Sequence, residues 1–102
     1  MSYELLRKSE VLRIKGDSKS STYVQIKDGT FTEPVKLGPR ASAWPDYEVY
    51  AINAAKIAGW SKGEIRRLVQ NLHEFRKTVP GMTDSEIKQG VSQLIAGIQA
   101  AA

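Results

Sequence analysis

Between Lys15 and Arg40 the chain interleaves Lys15, Lys19, Lys27, Lys36 and Arg40 with the hydroxyls of Ser18, Ser20, Ser21 and Tyr23. Ammonium, guanidinium and hydroxyl donors are the groups that contact phosphate oxygens, and an arginine at a turn tip can enter a minor groove. The same residues also fit a solvated face with ordinary turn chemistry, so their types alone do not choose. No other stretch assembles a comparable set. His73 is the single histidine and stands between Leu72 and Glu74. It lacks the suitably spaced neighbours that metal binding or acid–base chemistry needs, so a surface or boundary role is expected. The acidic residues are scattered, with no spacing that would bring two carboxylates into one cleft. Gly59 and Gly63 flank a helix start rather than forming a phosphate-cradling loop. Catalytic residues, a cofactor and a metal site are therefore not expected, and the chain does not read as an enzyme.

The composition narrows the class. A length of 102 residues suits one ordinary domain, or a small domain with an appendage. Hydrophobic residues at 41% and charged residues at 25% are the balance of a folded protein rather than a disordered one. The net charge of +4 favours polyanions without by itself requiring one. With no cysteine, disulfides and thiolate metal sites are excluded. The opening residues lack the apolar run of a signal peptide, and no stretch reaches the length of a membrane span. A cytoplasmic location, at the nucleoid, is expected, with no membrane partner.

The elements that must position the basic residues divide near Gly59. Ser9 to Lys15 reads as a short helix capped by Ser9, with Val11, Leu12 and Ile14 on its apolar side and Gly16 ending it. Thr22 to Ile26 alternates and is rich in β-branched and aromatic residues, the pattern of a strand. Lys27-Asp28-Gly29 would then turn into Thr30-Phe31-Thr32. The competing reading makes Ser18 an N-cap and carries a helix to Lys27, stopped by Gly29. Pro34 to Trp44 reads as two short strands around a tight Gly-Pro turn. Pro45-Asp46 opens a helix that faces Val49, Ile52 and Ile57 inward, with Tyr50 and Ala54 nearby, and ends at Gly59.

Beyond Gly59 the pattern is plainer. Ser61 to Glu64 and Thr83 to Glu86 both have capping-box spacing. Each opens a stripe of helical period, Ile65, Leu68, Val69, Leu72 and Phe75 in one, Ile87, Val91, Leu94, Ile95 and Ile98 in the other. Thr78 to Gly81 connects them, so an antiparallel helical hairpin is expected, with a tail at Ala100-Ala101-Ala102 that frays.

Several blocks resemble the AlpA family of prophage regulators, small relatives of phage excisionases whose winged helix-turn-helix is akin to the MerR DNA-binding domain. They are Glu10-Val11-Leu12, Gly16 to Tyr23, Ile26 to Phe31, Pro34 to Gly38 and Arg40 to Trp44, in order and without a gap. Pro-Val-Lys-Leu-Gly followed by Arg and Ala-Trp is the most specific part, and the likeness spans about Leu5 to Ile57. The resemblance implies that Ser18 to Tyr23 opens the second helix of the helix-turn-helix, which enters the major groove by its N-terminal residues. It thereby resolves the ambiguous segment as helix. It also makes Lys36 to Trp44 the wing, with Arg40 at or beside its tip. Two positions depart from the family, which usually has an aliphatic residue at Asp17 and leucine at Thr22. Both would pack the two helices together, so the rotation of the second helix is left open.

The expected fold is therefore mostly α with a small β wing. A winged helix-turn-helix over residues 1–58 is followed by a helical hairpin over 61–102. Lys19, Ser20 and Ser21 are the expected base-edge and nearby phosphate contacts. Tyr23, Lys27 and Lys36 would touch the backbone, and Arg40 the minor groove. Trp44 is expected in the core, and Trp60 in a structural role. The expected partner is double-stranded DNA, together with a second copy of the chain through residues 61–102, and an integrase or RNA polymerase as proteins met there. The function implied is a transcriptional regulator of a mobile element, or an excisionase that directs recombination. The alternative is a protein-interaction module in which residues 22–44 form a β-sheet and the hairpin docks a partner.

Overall fold

Leu5–Arg7 (β1) leads directly into the helix Lys8–Lys15 (α1) in the computed structural model, which describes residues 3–101. The helix Lys19–Asp28 (α2), the strands Val35–Gly38 (β2) and Ala41–Pro45 (β3), and the helix Asp46–Ile57 (α3) follow. Then come the helix Lys62–Phe75 (α4), a single 3-10 turn at Arg76–Thr78, and the helix Asp84–Ala101 (α5). The molecule is mostly helical, with a three-stranded antiparallel sheet as its wing. Met1, Ser2 and Ala102, at the outer ends of the two expected segments, lie outside the described residues.

The sheet runs in the order β1-β3-β2. Leu5, Leu6 and Arg7 lie opposite Pro45, Trp44 and Ala43, and Val35 and Lys36 opposite Ala43 and Ser42. A register shift between Lys36 and Gly38 makes a bulge at Leu37 just before the Pro39-Arg40 turn. The strand β1 is not expected from the sequence. Its pairing explains a correction at α1, where Arg7 rather than Ser9 holds the N-cap position and no side chain caps the helix. Paired to β3, Arg7 keeps an extended backbone (φ −77°, ψ 164°), and the helix begins at the next residue.

The segment whose local propensity favours a strand is the helix α2. The Ser18 side chain accepts from the Ser21 amide at 3.1 Å, and Gly29, at φ +84°, closes the far end in the left-handed conformation that glycine tolerates best. The alternative with a β-sheet over residues 22–44 is thereby corrected, because only its later part is sheet. The two departures, Asp17 and Thr22, build a polar network in place of an apolar contact. The buried Thr22 hydroxyl donates to the Ser18 carbonyl at 3.0 Å and accepts from Lys15 Nζ at 3.1 Å. Gln25 donates to the Asp17 carboxylate at 2.9 Å and accepts from Lys15 Nζ at 2.7 Å. That ammonium lies 3.4 Å from Asp17 and 4.0 Å from the Phe31 ring centroid. Burial pulls the Lys15 ammonium below its usual pKa, assisted by Lys56, while the Gln25 hydrogen bond holds the Asp17 carboxyl below the carboxylate range. These contacts settle the rotation of α2, with Thr22 inward and Tyr23 and Val24 outward.

In α3 the buried face is Val49, Ala51, Ile52 and Ala55. The expectation that Ile57 faces inward is corrected, since it is 87% exposed. Five residues beyond Ile52, it is rotated by about 140° around the helix. Tyr50 and Ala54 are exposed as well. The two capping boxes form, Ser61 with Glu64 and Thr83 with Glu86, each side chain bonding the other residue's amide. Ile65, Leu68, Val69 and Leu72 of α4 and Ile87, Val91 and Ile98 of α5 are buried. Phe75, Leu94 and Ile95 pack partly exposed. All join one cluster with Leu6, Val11, Phe31, Trp44, Val49 and Ile52. Trp44 anchors it, its indole N–H donating to the Thr32 carbonyl at 2.8 Å and its ring 6.0 Å from that of Phe31. Among the described residues no helix is long and apolar enough to cross a membrane.

Candidate nucleic-acid interface

The first turn of α2 presents Lys19, Ser20 and Ser21 to solvent, with no acidic residue among them. A helix N-terminus directs unpaired amides and the positive end of its dipole outward, which suits an anion. The Ser18 hydroxyl donates to the Ser21 hydroxyl at 3.1 Å, leaving Ser21 its own proton to give.

One turn further, Tyr23 is half exposed, and its hydroxyl accepts from Lys8 Nζ at 2.6 Å. The Lys8 ammonium also lies 5.0 Å from the ring centroid. This hydrogen bond pulls the phenol below its usual pKa, and the charges of Lys8 and Lys19 act in the same direction. Lys8, Lys19 and Tyr23 line one narrow crevice with Leu12, Thr22 and Trp44. The structure thus gathers Lys19, Ser20, Ser21 and Tyr23 at one end of α2 and adds Lys8, which the sequence does not single out. No local pattern marks Lys8; the start of α1 is set beside α2 by the long-range pairing of β1.

Lys36 on β2 and Arg40 in the turn of the wing are both exposed. They stand on the wing rather than on α2. Lys27 falls elsewhere. It is exposed near the other end of α2, about 12 Å along the axis from Lys19, eight residues at 1.5 Å each. There it lines a shallow depression with Glu33, Arg66 and His73.

These four cations are also unpaired. Among the described residues, Lys19, Lys27, Lys36 and Arg40 make no ion pair or hydrogen bond through their charged groups, and neither do Arg7, Arg67 and Lys88. By contrast Lys15, Lys56, Lys62, Arg66 and Arg76 are all engaged with carboxylates. His73 has a boundary role, its Nε2 accepting from the Glu33 amide at 3.0 Å. The buried Glu48 carboxylate receives both Nε and a terminal nitrogen of Arg76 at 2.7 Å, a pair that sequence inspection does not reveal.

Residues 4–51 match the family described as "Prophage CP4-57 regulatory protein (AlpA)". The chain is also similar to the "Uncharacterized protein ORF88" of Enterobacteria phage P4, at 41% identity over 58 residues. That alignment covers 57% of this chain and 66% of the phage protein, just under two thirds of its length. No solved structure matches the chain.

Proposed function

We propose that the chain, whose residues 4–51 match the AlpA family of prophage regulatory proteins, is a sequence-specific double-stranded DNA-binding regulator of a prophage or related mobile element. The observation that carries the reading is the set of cations left without an internal partner on α2 and the wing. An unpaired surface ammonium costs the fold nothing, and it becomes useful when it displaces counterions from phosphates. Lys19, Ser20 and Ser21 read base edges and adjacent phosphates at the start of α2. Tyr23, with Lys8, and Lys36 hold the backbone, and Arg40 lies in or along the minor groove. Lys27 reaches only a phosphate further along the duplex.

Acting at the nucleoid, such a protein regulates transcription, directs excision, or does both, meeting RNA polymerase or an integrase on the DNA. A domain this small makes few contacts, so specific occupancy needs repeated copies. Their association is proposed through residues 61–102. The apolar stripes of α4 and α5 are largely buried within the protomer, so the outer residues of these helices supply the contact.

A mobility-shift titration across ionic strength tests the reading. With Lys19, Lys27, Lys36 and Arg40 on phosphates, log affinity should fall against log salt with a slope of roughly −3 to −4 per monomer. Affinity that is flat with salt, or absent on every duplex, would rule the reading out. Arg40→Ala should weaken binding about tenfold while leaving the thermal melt unchanged. Parental affinity in that variant would make Arg40 an ordinary surface residue.

A further inference from the structure

The C-terminal end of α2 is gripped by a stretch of chain that lies outside the family match. Arg66 of α4 donates from Nε to the Asp28 carbonyl at 3.0 Å and from a terminal nitrogen to the Asp28 carboxylate at 2.8 Å. Lys62 stands 3.7 Å from the other carboxylate oxygen. The Arg66 guanidinium, seconded by Lys62, holds the Asp28 carboxyl below the carboxylate range. Five residues on, the Glu33 amide donates to His73, and the Glu33 carbonyl accepts from Arg76. The segment that ends α2 and leads to the wing is thus fastened to α4 and the turn after it.

We propose that Arg66 is a positioning residue for DNA reading, fixing the axis of α2 from the end opposite its proposed base contacts; this rests on the DNA-binding reading above. A helix of 10 residues is about 15 Å long and moves as a rod. The network of Lys15, Asp17, Thr22 and Gln25 holds it towards its middle. Any tilt is largest at the ends, where Lys19, Ser20 and Ser21 stand. The Tyr23–Lys8 hydrogen bond restrains the near half of the helix, and Arg66 supplies the fastening at the far end. Its positive charge also sits where the negative end of the α2 dipole and the orphan carbonyls of the last turn favour a cation.

The test compares the full chain with Arg66→Met, Arg66→Lys, Asp28→Ala and the double variant Arg66→Met/Asp28→Ala. Affinity is measured for a footprinted specific duplex and for a scrambled duplex at one salt concentration. Hydrogen exchange of the amides from Lys27 to Phe31 is followed in the free proteins. Arg66→Met and Asp28→Ala should each speed that exchange and lower specific affinity roughly three- to tenfold. Binding to the scrambled duplex should change much less. The double variant should be no worse than either single one, and Arg66→Lys should recover part of the loss. Asp28→Ala gives the discriminating sign. It removes an anion from the helix, so electrostatics alone would tighten binding to DNA, whereas loss of positioning weakens it. Unchanged exchange, or a specific affinity at or above the parent in Asp28→Ala, overturns the proposal. Failure of the parent to bind any duplex overturns the DNA-binding reading itself and is seen before any variant is compared.

Discussion

A chain cut after Gly59 is expected to lose its cooperative melting transition. Leu68 and Leu72 of α4 are completely buried, and Ile65 and Val69 nearly so, in the cluster that holds Phe31, Trp44, Val49 and Ile52. Removing α4 and α5 would leave that face of the remaining residues open to water. Each large apolar side chain moved from core to solvent forfeits roughly 1.5–3 kcal/mol, and a fragment of fewer than 60 residues has little surplus stability to lose. Truncation also strips Glu48 of Arg76, leaving a buried carboxylate without its cation. Breaking such a pair costs about 3–5 kcal/mol, a large part of the roughly 5–15 kcal/mol that stabilises a typical domain. Circular dichroism on heating the intact and truncated chains decides the matter. A fragment that melts cooperatively within a few degrees of the parent would instead make residues 1–58 an independent winged helix and 61–102 a separable hairpin.

The second large effect isolates that pair in the intact chain. Arg76→Met is expected to destabilise the fold by about 3–5 kcal/mol. The Glu48 side chain is 0% exposed, and both of its oxygens accept from one guanidinium at 2.7 Å. Methionine retains much of the arginine stem's packing, so the loss reports chiefly the stranded carboxylate and the freed Glu33 carbonyl. Adding Glu48→Leu to Arg76→Met should recover most of that loss, because two apolar side chains of similar volume need no solvation. Urea unfolding of the parent, the single variant and the double variant measures both steps. A single variant within about 1 kcal/mol of the parent would mean that water screens the pair as it does at a surface.

What could be read from the sequence, and what could not, follows the range of the interactions. The capping boxes at Ser61 and Thr83, the helix end at Gly59 and the strand pair around Gly38-Pro39 are short-range features, and each appears where local chemistry predicts it. The stripes of α4 and α5 declare their buried faces because burial of a helix repeats every three to four residues. Local propensity misreads Thr22 to Ile26, which becomes helical only with the Ser18 cap, the Gly29 stop and a buried Thr22. The family resemblance points to that helix but leaves its rotation open. The contacts of Thr22 and Gln25 with Lys15 then decide it. Other features have no signature in sequence spacing. Lys8 meets Tyr23 across 15 positions, Arg76 meets Glu48 across 28, Arg66 meets Asp28 across 38 and His73 meets Glu33 across 40. Periodicity records only which face of an element is buried, whereas a hydrogen bond between distant residues depends on how whole elements are placed. That placement comes from packing around Trp44 and Leu68, and it alone brings these partners within reach.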